Sequence, residues 1–255
     1  MRILITNDDG YMAPGLLALR EALCPFAEIT VVAPSTEQSA KSHAITLHAP
    51  MRIREHAPRW FHIDGTPSDC AFIGINHIMR DAPPDLVCAG INHGPNVGGD
   101  VIYSGTVAAA MEAALIGRPA IAFSLARGRD FVAAARQAAR LVQALFRRPL
   151  GSGLVLNVNF PEVVSDSFRV TRLGQRSYGS SVIERVDPRG RPYVWIGGLE
   201  ATYERAQGTD CEAVFVEGKT SITPLSLDGT AHEALPMLRD WVGEGDFPRA
   251  DGLDA

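Results

Sequence analysis

Cysteine is scarce in this chain, positive charge is in deficit and no apolar run is long, and each shortfall removes a class of function. The four cysteines, Cys24, Cys70, Cys88 and Cys211, are scattered without C-x-x-C or zinc-finger spacing, so reduced, buried thiols are expected rather than a disulfide framework. Lys and Arg number 24 against 29 Asp and Glu, a net charge of −5, which argues against a broad attraction to nucleic-acid backbone or anionic lipid. A small phosphorylated substrate stays open, because a metal ion reverses the field locally. No apolar run approaches the roughly 18–20 residues that span a bilayer. Met1 to Ile5 runs straight into a strand pattern with no signal-peptide layout, so a soluble, cytoplasmic protein without membrane attachment is expected. Several catalytic signatures are also missing. No Gly-x-Gly-x-x-Gly follows the first strand, no Walker A run ends in Gly-Lys-Ser/Thr, and no Gly-x-Ser-x-Gly stands at a strand–helix elbow. The seven histidines show no His-Glu-x-x-His or other zinc spacing.

What is present is an alternation of short apolar runs with amphipathic stretches, the pattern of an α/β fold with a parallel sheet and crossover helices. Strands are expected at Arg2–Thr6, Glu28–Ala33, Trp60–Ile63, Asp85–Ala89, Ala120–Leu125 and Leu154–Phe160. Helices are expected from Pro14 with Leu16, Leu17, Leu19 and Leu23 on one face, over Pro67–Met79 with Thr66 as cap, from Ser104 to about Gly117, and over Asp130–Phe146. Ile45–His48 and Met51–Arg54 suggest a hairpin. Past residue 165 the composition changes: short β-like runs from Arg172 to Ile196, a strand region over Ala213–Leu225, a helix over Glu233–Trp241 and a polar tail from Gly243. The chain therefore divides into an α/β core over residues 1–165 and a C-terminal extension over residues 166–255.

Ligands of such sheets sit beyond the carboxyl ends of the strands, and three polar loops there carry the chemistry. Asp8 and Asp9 are adjacent behind the first strand; two neighbouring carboxylates repel unless a cation compensates, although Asn7-Asp8-Asp9-Gly10 is equally a good turn sequence. The second loop brings Ser35, Ser39, Lys41, Ser42 and His43, where a hydroxyl can ligate a hard cation and Lys41 can meet a phosphate. The third, Gly90 to Asp100, is rich in glycine and holds Asn92, His93 and Asn96 before Ser104-Gly105-Thr106 opens a helix. Asparagine offers a neutral oxygen to metal and amide donors to an oxyanion, and a helix N-terminus binds phosphate. Ser104 as a plain cap, with the glycines serving turns, is the competing structural reading. His93 is placed to donate a proton.

Taken in order, these segments resemble the SurE (survival protein E) nucleotidases. The run Ile3 to Gly10 with Pro14-Gly15 carries the likeness, with Ala33-Pro34 through Gln38-Ser39 and Gly65-Thr66-Pro67 with Asp69-Cys70. Gly90-Ile91-Asn92 with Gly94 and Asn96, Asp100 to Thr106, and Ser221 to Leu225 continue it. The resemblance implies a Rossmann-like, mostly parallel sheet sandwiched by helices, with a C-terminal β-hairpin and helix extension used for oligomerisation into a homodimer or homotetramer. It implies a metal-dependent phosphomonoesterase acting on nucleoside 5′-monophosphates, with 3′-monophosphates as a second class, and needing one divalent cation per subunit, Mg²⁺ or Mn²⁺. The metal is expected on Asp8, Asp9, Ser39 and Asn92, with Asp8 and Asp9 also catalytic, and the phosphate beside Asn96, Ser104, Gly105 and Thr106. Water activated by an aspartate is the expected nucleophile, with direct attack by an aspartate as the other route. A nucleic-acid polymer is not an expected partner. Two rival readings are a phosphate-binding sensor without turnover and a metal-dependent sugar deacetylase, which would want histidines beside the aspartate pair.

Overall fold

The computed structural model describes residues 1–148, 151, 153–177, 182–196 and 202–243; the polar tail expected beyond Gly243 lies outside them. Two compact units are present, Met1–Leu225 and Ser226–Ala255. The first begins β1 (Arg2–Thr6), α1 (Pro14–Leu23), β2 (Glu28–Pro34), β3 (Ile53–Ala57), β4 (Trp60–Ile63), α2 (Pro67–Ile73), β5 (Leu86–His93) and α3 (Gly105–Leu115). It continues with β6 (Ala120–Leu125), α4 (Phe131–Arg147), β7 (Leu154–Phe160), β8 (Phe168–Val170), β9 (Arg176–Ser177), β10 (Val182–Val186), β11 (Pro192–Ile196), β12 (Thr202–Tyr203), α5 (Asp210–Phe215) and β13 (Thr220–Ser226). The described part of the second unit carries α6 (Leu235–Gly243) behind a single 3₁₀ turn.

One nine-stranded sheet runs in the order β3-β4-β2-β1-β5-β6-β7-β13-β8. The pairs from β4 through β7 are parallel, as are β13 and β8, and β3 is antiparallel to its neighbour, β4. This is the mostly parallel, helix-flanked α/β architecture expected from the sequence. Its central strands are buried on both faces, which is why β2, β6 and β7 read as continuous apolar runs rather than alternating ones. Alternation along β1 sends Ile3 and Ile5 into the core that holds Leu16, Leu19 and Leu23 of α1, while Leu4 meets Gly74 just past α2. Thus α1 and α4 cover one face, and α2 and α3 the other. α4 buries Phe131, Ala134, Ala135, Ala138 and Val142, a stripe at helical spacing. α3 is buried nearly all round, which its alanines permit. Gly15 brings α1 against the end of β5: a Cβ there would stand 1.9 Å from the Ile91 carbonyl oxygen.

Several local expectations differ from what is observed. β5 runs on to His93, so Asn92 and His93 stand at a strand end rather than in the loop expected from Gly90. The hairpin pairs Ile53–Ala57 with Trp60–Ile63 and turns through Pro58-Arg59, whereas Ile45–His48 is loop. Ile45 and Leu47 are exposed, so that segment buries no apolar face that would hold it in a sheet. The region Ala213–Leu225 is the end of a helix followed by a strand. Thr209 caps α5 by accepting the Glu212 N–H, a local signal stronger than the β-branched residues around it. Among the described residues no helix is long and apolar enough to cross a membrane.

Candidate active site

β1 ends at a buried loop that its own side chains fold. Asn7 Nδ2 donates to the Gly10 carbonyl at 2.8 Å, and the Gln38 N–H donates to the Asp8 carbonyl at 2.8 Å, tying the second loop to the first. Asp8 is only 4% exposed. It accepts a short hydrogen bond from the Thr106 hydroxyl and another from the Thr106 N–H at 3.2 Å. Burial raises its carboxyl from an ordinary 3.8 to about 6; Thr106 opposes the rise and the charge of Asp9 adds to it. Asp9 is less enclosed and accepts the His93 N–H at 3.2 Å; its carboxyl is raised too, by burial first, against the lowering effect of that bond.

Asp8, Ser39, Asn92, His93, Asn96 and Ser104 share the wall of one cavity of about 310 Å³. Asp9 lies instead in a second cavity, of about 420 Å³, with Gly15, Arg129 and Phe131, and His93 belongs to both walls. Asn92 Nδ2 donates to the Gly94 carbonyl at 2.9 Å, and its Oδ1 has no hydrogen bond among the described residues. The Ser39 hydroxyl donates to Glu37 Oε1 at 2.8 Å. Lys41 is exposed and outside this lining, and His43 pairs with Glu112 at 2.8 Å.

The start of α3 forms the floor beside Asp8. Ser104 caps the helix by accepting the Val107 N–H at 3.1 Å, and Thr106 turns both its donors to Asp8. Gly105, at the first helical position, keeps an N–H with no intrahelical acceptor. It must be glycine: a Cβ would stand 2.9 Å from Asp8 Cβ and 3.0 Å from Asp8 Oδ2. Gly105 and Thr106 therefore sit behind the wall that Ser104 and Asp8 present. The helix dipole favours negative charge there.

No Lys or Arg lines the first cavity among the described residues, yet it holds two carboxylates, Asp8 and the Arg176-paired Asp100, and the cap of a helix start. A phosphate in this cavity would meet the Asp8 carboxylate with no cationic side chain in the lining among the described residues. The donor types fit a hard divalent ion: the Asp8 carboxylate, the Ser39 hydroxyl and the unbonded Asn92 oxygen share the cavity wall, and the Asp9 carboxylate stands in the adjoining one. Among the described residues no three His, Cys, Asp or Glu side chains gather as a metal cluster, so a histidine-rich zinc centre has no support there.

The sequence profile described as Survival protein SurE matches residues 3–180. The chain belongs to the SurE family. The 5'-nucleotidase SurE of Myxococcus xanthus (strain DK1622) is 53% identical over 247 residues, covering 96% of this chain and 94% of that one. The 5'-nucleotidase SurE of Vibrio parahaemolyticus serotype O3:K6 is 44% identical over 247 residues, covering 96% and 95%. The crystal structure of the SurE protein from Aquifex aeolicus matches with a TM-score of 0.81 at 37% identity, covering 94% of this chain and 98% of that one.

Sequence reasoning missed what holds the SurE loop from below. The Asn96 N–H donates to Asn159 Oδ1 at 2.8 Å, and its carbonyl accepts from Asn157 at 2.7 Å and Asn159 at 3.0 Å. Asn96 Nδ2 donates to Ser124 Oγ at 2.8 Å, which leaves one amide proton and Oδ1 without a partner among the described residues. The signal was available: Ser124, Asn157 and Asn159 are polar residues inside otherwise apolar buried strands.

Proposed function

We propose that this SurE chain is a metal-dependent 5′-nucleotidase that hydrolyses nucleoside 5′-monophosphates, with 3′-monophosphates as a second class, to nucleoside and phosphate. The observation that carries the reading is the single cavity joining Asp8, the free Asn92 oxygen and the start of α3, without a cationic side chain in its lining. The names of relatives 53% and 44% identical over nearly the whole chain support the same activity. Asp8, Asp9, Ser39 and Asn92 are assigned to one divalent cation per subunit, Mg²⁺ or Mn²⁺, with Ser39 exchanging its Glu37 contact for the ion. Bound there, the cation supplies charge neutralisation at the phosphoryl oxygens and a lowered pKa for water.

The remaining work falls to the chain. The spare Asn96 amide proton and the positive end of α3 hold the phosphoryl oxygens, with Ser104 fixing the helix start and Gly105 lying behind it. Asp8 takes the proton of the attacking water as the new O–P bond forms, and the ester P–O bond breaks on the opposite side. His93, in the wall common to both cavities, returns a proton to the leaving nucleoside oxygen. Release of inorganic phosphate from AMP, measured with Mg²⁺ or Mn²⁺ and again in EDTA, tests the reading. Metal-dependent release is expected, and tight AMP binding with no release in any metal refutes it.

We also assign the chain to homodimers or homotetramers in the cytoplasm. Among the described residues the β10–β11 hairpin forms its own two-stranded sheet, with Val182, Val186 and Val194 exposed on one face and Tyr193 and Trp195 on the other, apolar surface suited to a second copy. Four free thiols suit a reducing compartment. Light scattering of the purified protein tests the assembly; a monomer at micromolar concentration overturns it.

A further inference from the structure

The nucleotidase reading leaves the nucleoside without a seat, and the cavity wall holds one unused aromatic face. Tyr103 lines the cavity that contains Asp8, Asn92 and Ser104, immediately before the α3 cap, so its Cα is about 3.8 Å from that of Ser104. Its backbone is pinned on both sides: the Tyr103 N–H donates to the Asp100 carbonyl at 3.0 Å, and its own carbonyl accepts the Ser42 N–H at 3.1 Å. The Ser42 hydroxyl adds a bond to the Ile102 carbonyl at 2.7 Å. The side chain, by contrast, is 65% exposed and makes no hydrogen bond or ring contact among the described residues. A rigid backbone carrying an open, unpartnered ring beside an anion-binding helix start is the arrangement of a stacking platform.

We propose that Tyr103 stacks the nucleobase of the substrate and so sets the preference for nucleotides over simple phosphate esters. The inference rests on the nucleotidase reading and deepens it. The other rings nearby are less suited. His93 already meets Phe131 edge-on, with centroids 6.0 Å apart, and Phe131 is 8% exposed and belongs to the core under α1 and α4. Stacking on one aromatic face tolerates any base, because every base has a π-face, so purine and pyrimidine nucleotides both gain.

The test compares kcat/KM for AMP and for ribose 5-phosphate, the same primary ester and sugar without a base, in saturating Mg²⁺. Tyr103→Ala is expected to lower kcat/KM for AMP about tenfold through KM, with kcat held, and to change the ribose 5-phosphate value less than twofold. Tyr103→Phe and Tyr103→Trp are expected to keep the AMP value within about twofold of wild type. An equal loss on both substrates, or on neither, overturns the proposal while leaving the nucleotidase reading intact. An AMP-selective loss in Arg129→Ala with none in Tyr103→Ala moves the base to the second cavity and also overturns it. If the wild-type protein hydrolyses neither ester in any metal, the nucleotidase reading fails and this inference fails with it.

Discussion

Asp8→Asn should make the metal-free protein more stable while abolishing its turnover. In the wild type the buried carboxyl is raised from 3.8 to about 6, so an ionised Asp8 at neutral pH costs the native state about 3 kcal/mol. An amide removes that charge but presents one oxygen where the carboxylate presents two. The Thr106 hydroxyl keeps its acceptor and the Thr106 N–H loses its own, a loss of about 1 kcal/mol. The net gain of about 2 kcal/mol corresponds to roughly 4–8 °C in Tm for a unit of this size. Calorimetry in EDTA at pH 7.5 reads it directly. Because the native state binds the Asp8 proton more tightly than the unfolded chain, the wild-type deficit opens as pH rises from 3.8 and is complete above about 6. The two stability curves should therefore cross at about pH 4.5, where the wild-type deficit has shrunk to the roughly 1 kcal/mol lost at the Thr106 N–H. Mg²⁺ at about 100 times its Kd should then raise the wild type by about 2.7 kcal/mol and leave Asp8→Asn unmoved. An Asp8→Asn protein that melts below wild type in EDTA, or that gains as much from Mg²⁺, refutes the account of a cation compensating two buried acids.

Three further outcomes follow from the same geometry. Asn92→Ala should raise the Mg²⁺ concentration for half-maximal activity about tenfold or more with Tm in EDTA changed little, read by metal titration of phosphate release; an unchanged titration removes Asn92 from the ligand set. Gly105→Ala forces a methyl to within 2.9 Å of Asp8 Cβ and should cost about 1–3 kcal/mol by urea denaturation, with a larger fractional loss of kcat. Asn159→Ala strips the buried Asn96 N–H of its acceptor and should cost about 2–3 kcal/mol by urea denaturation; an unchanged stability would contradict the cradle.

The order of layers was legible because buried parallel strands leave an unmistakable trace, as in Ala120–Leu125, and because helices such as α4 keep their apolar residues on one stripe. The hairpin was misplaced because Ile45 and Leu47 look like strand residues until their exposure is known, whereas the turn at Pro58-Arg59 depends on Arg59 accepting a positive φ of 63°. Asp8 and Asn92 could be nominated from loop position and chemistry alone. What their neighbours do could not. Thr106 reads as a donor for phosphate, yet in the fold its hydroxyl and N–H both meet Asp8, a contact across 98 positions of sequence. The Ser124, Asn157 and Asn159 cradle likewise emerges only when β6 and β7 are laid side by side, since each residue alone is an ordinary polar interruption.

That cradle has an evolutionary consequence. Because Asn96 is clamped from two interior strands, the end of the pocket that handles the ester cannot drift without unsettling the sheet itself. At the rim, by contrast, the Tyr103 side chain is exposed although its backbone is pinned, so an exchange there changes what the cavity mouth offers without disturbing a buried hydrogen bond.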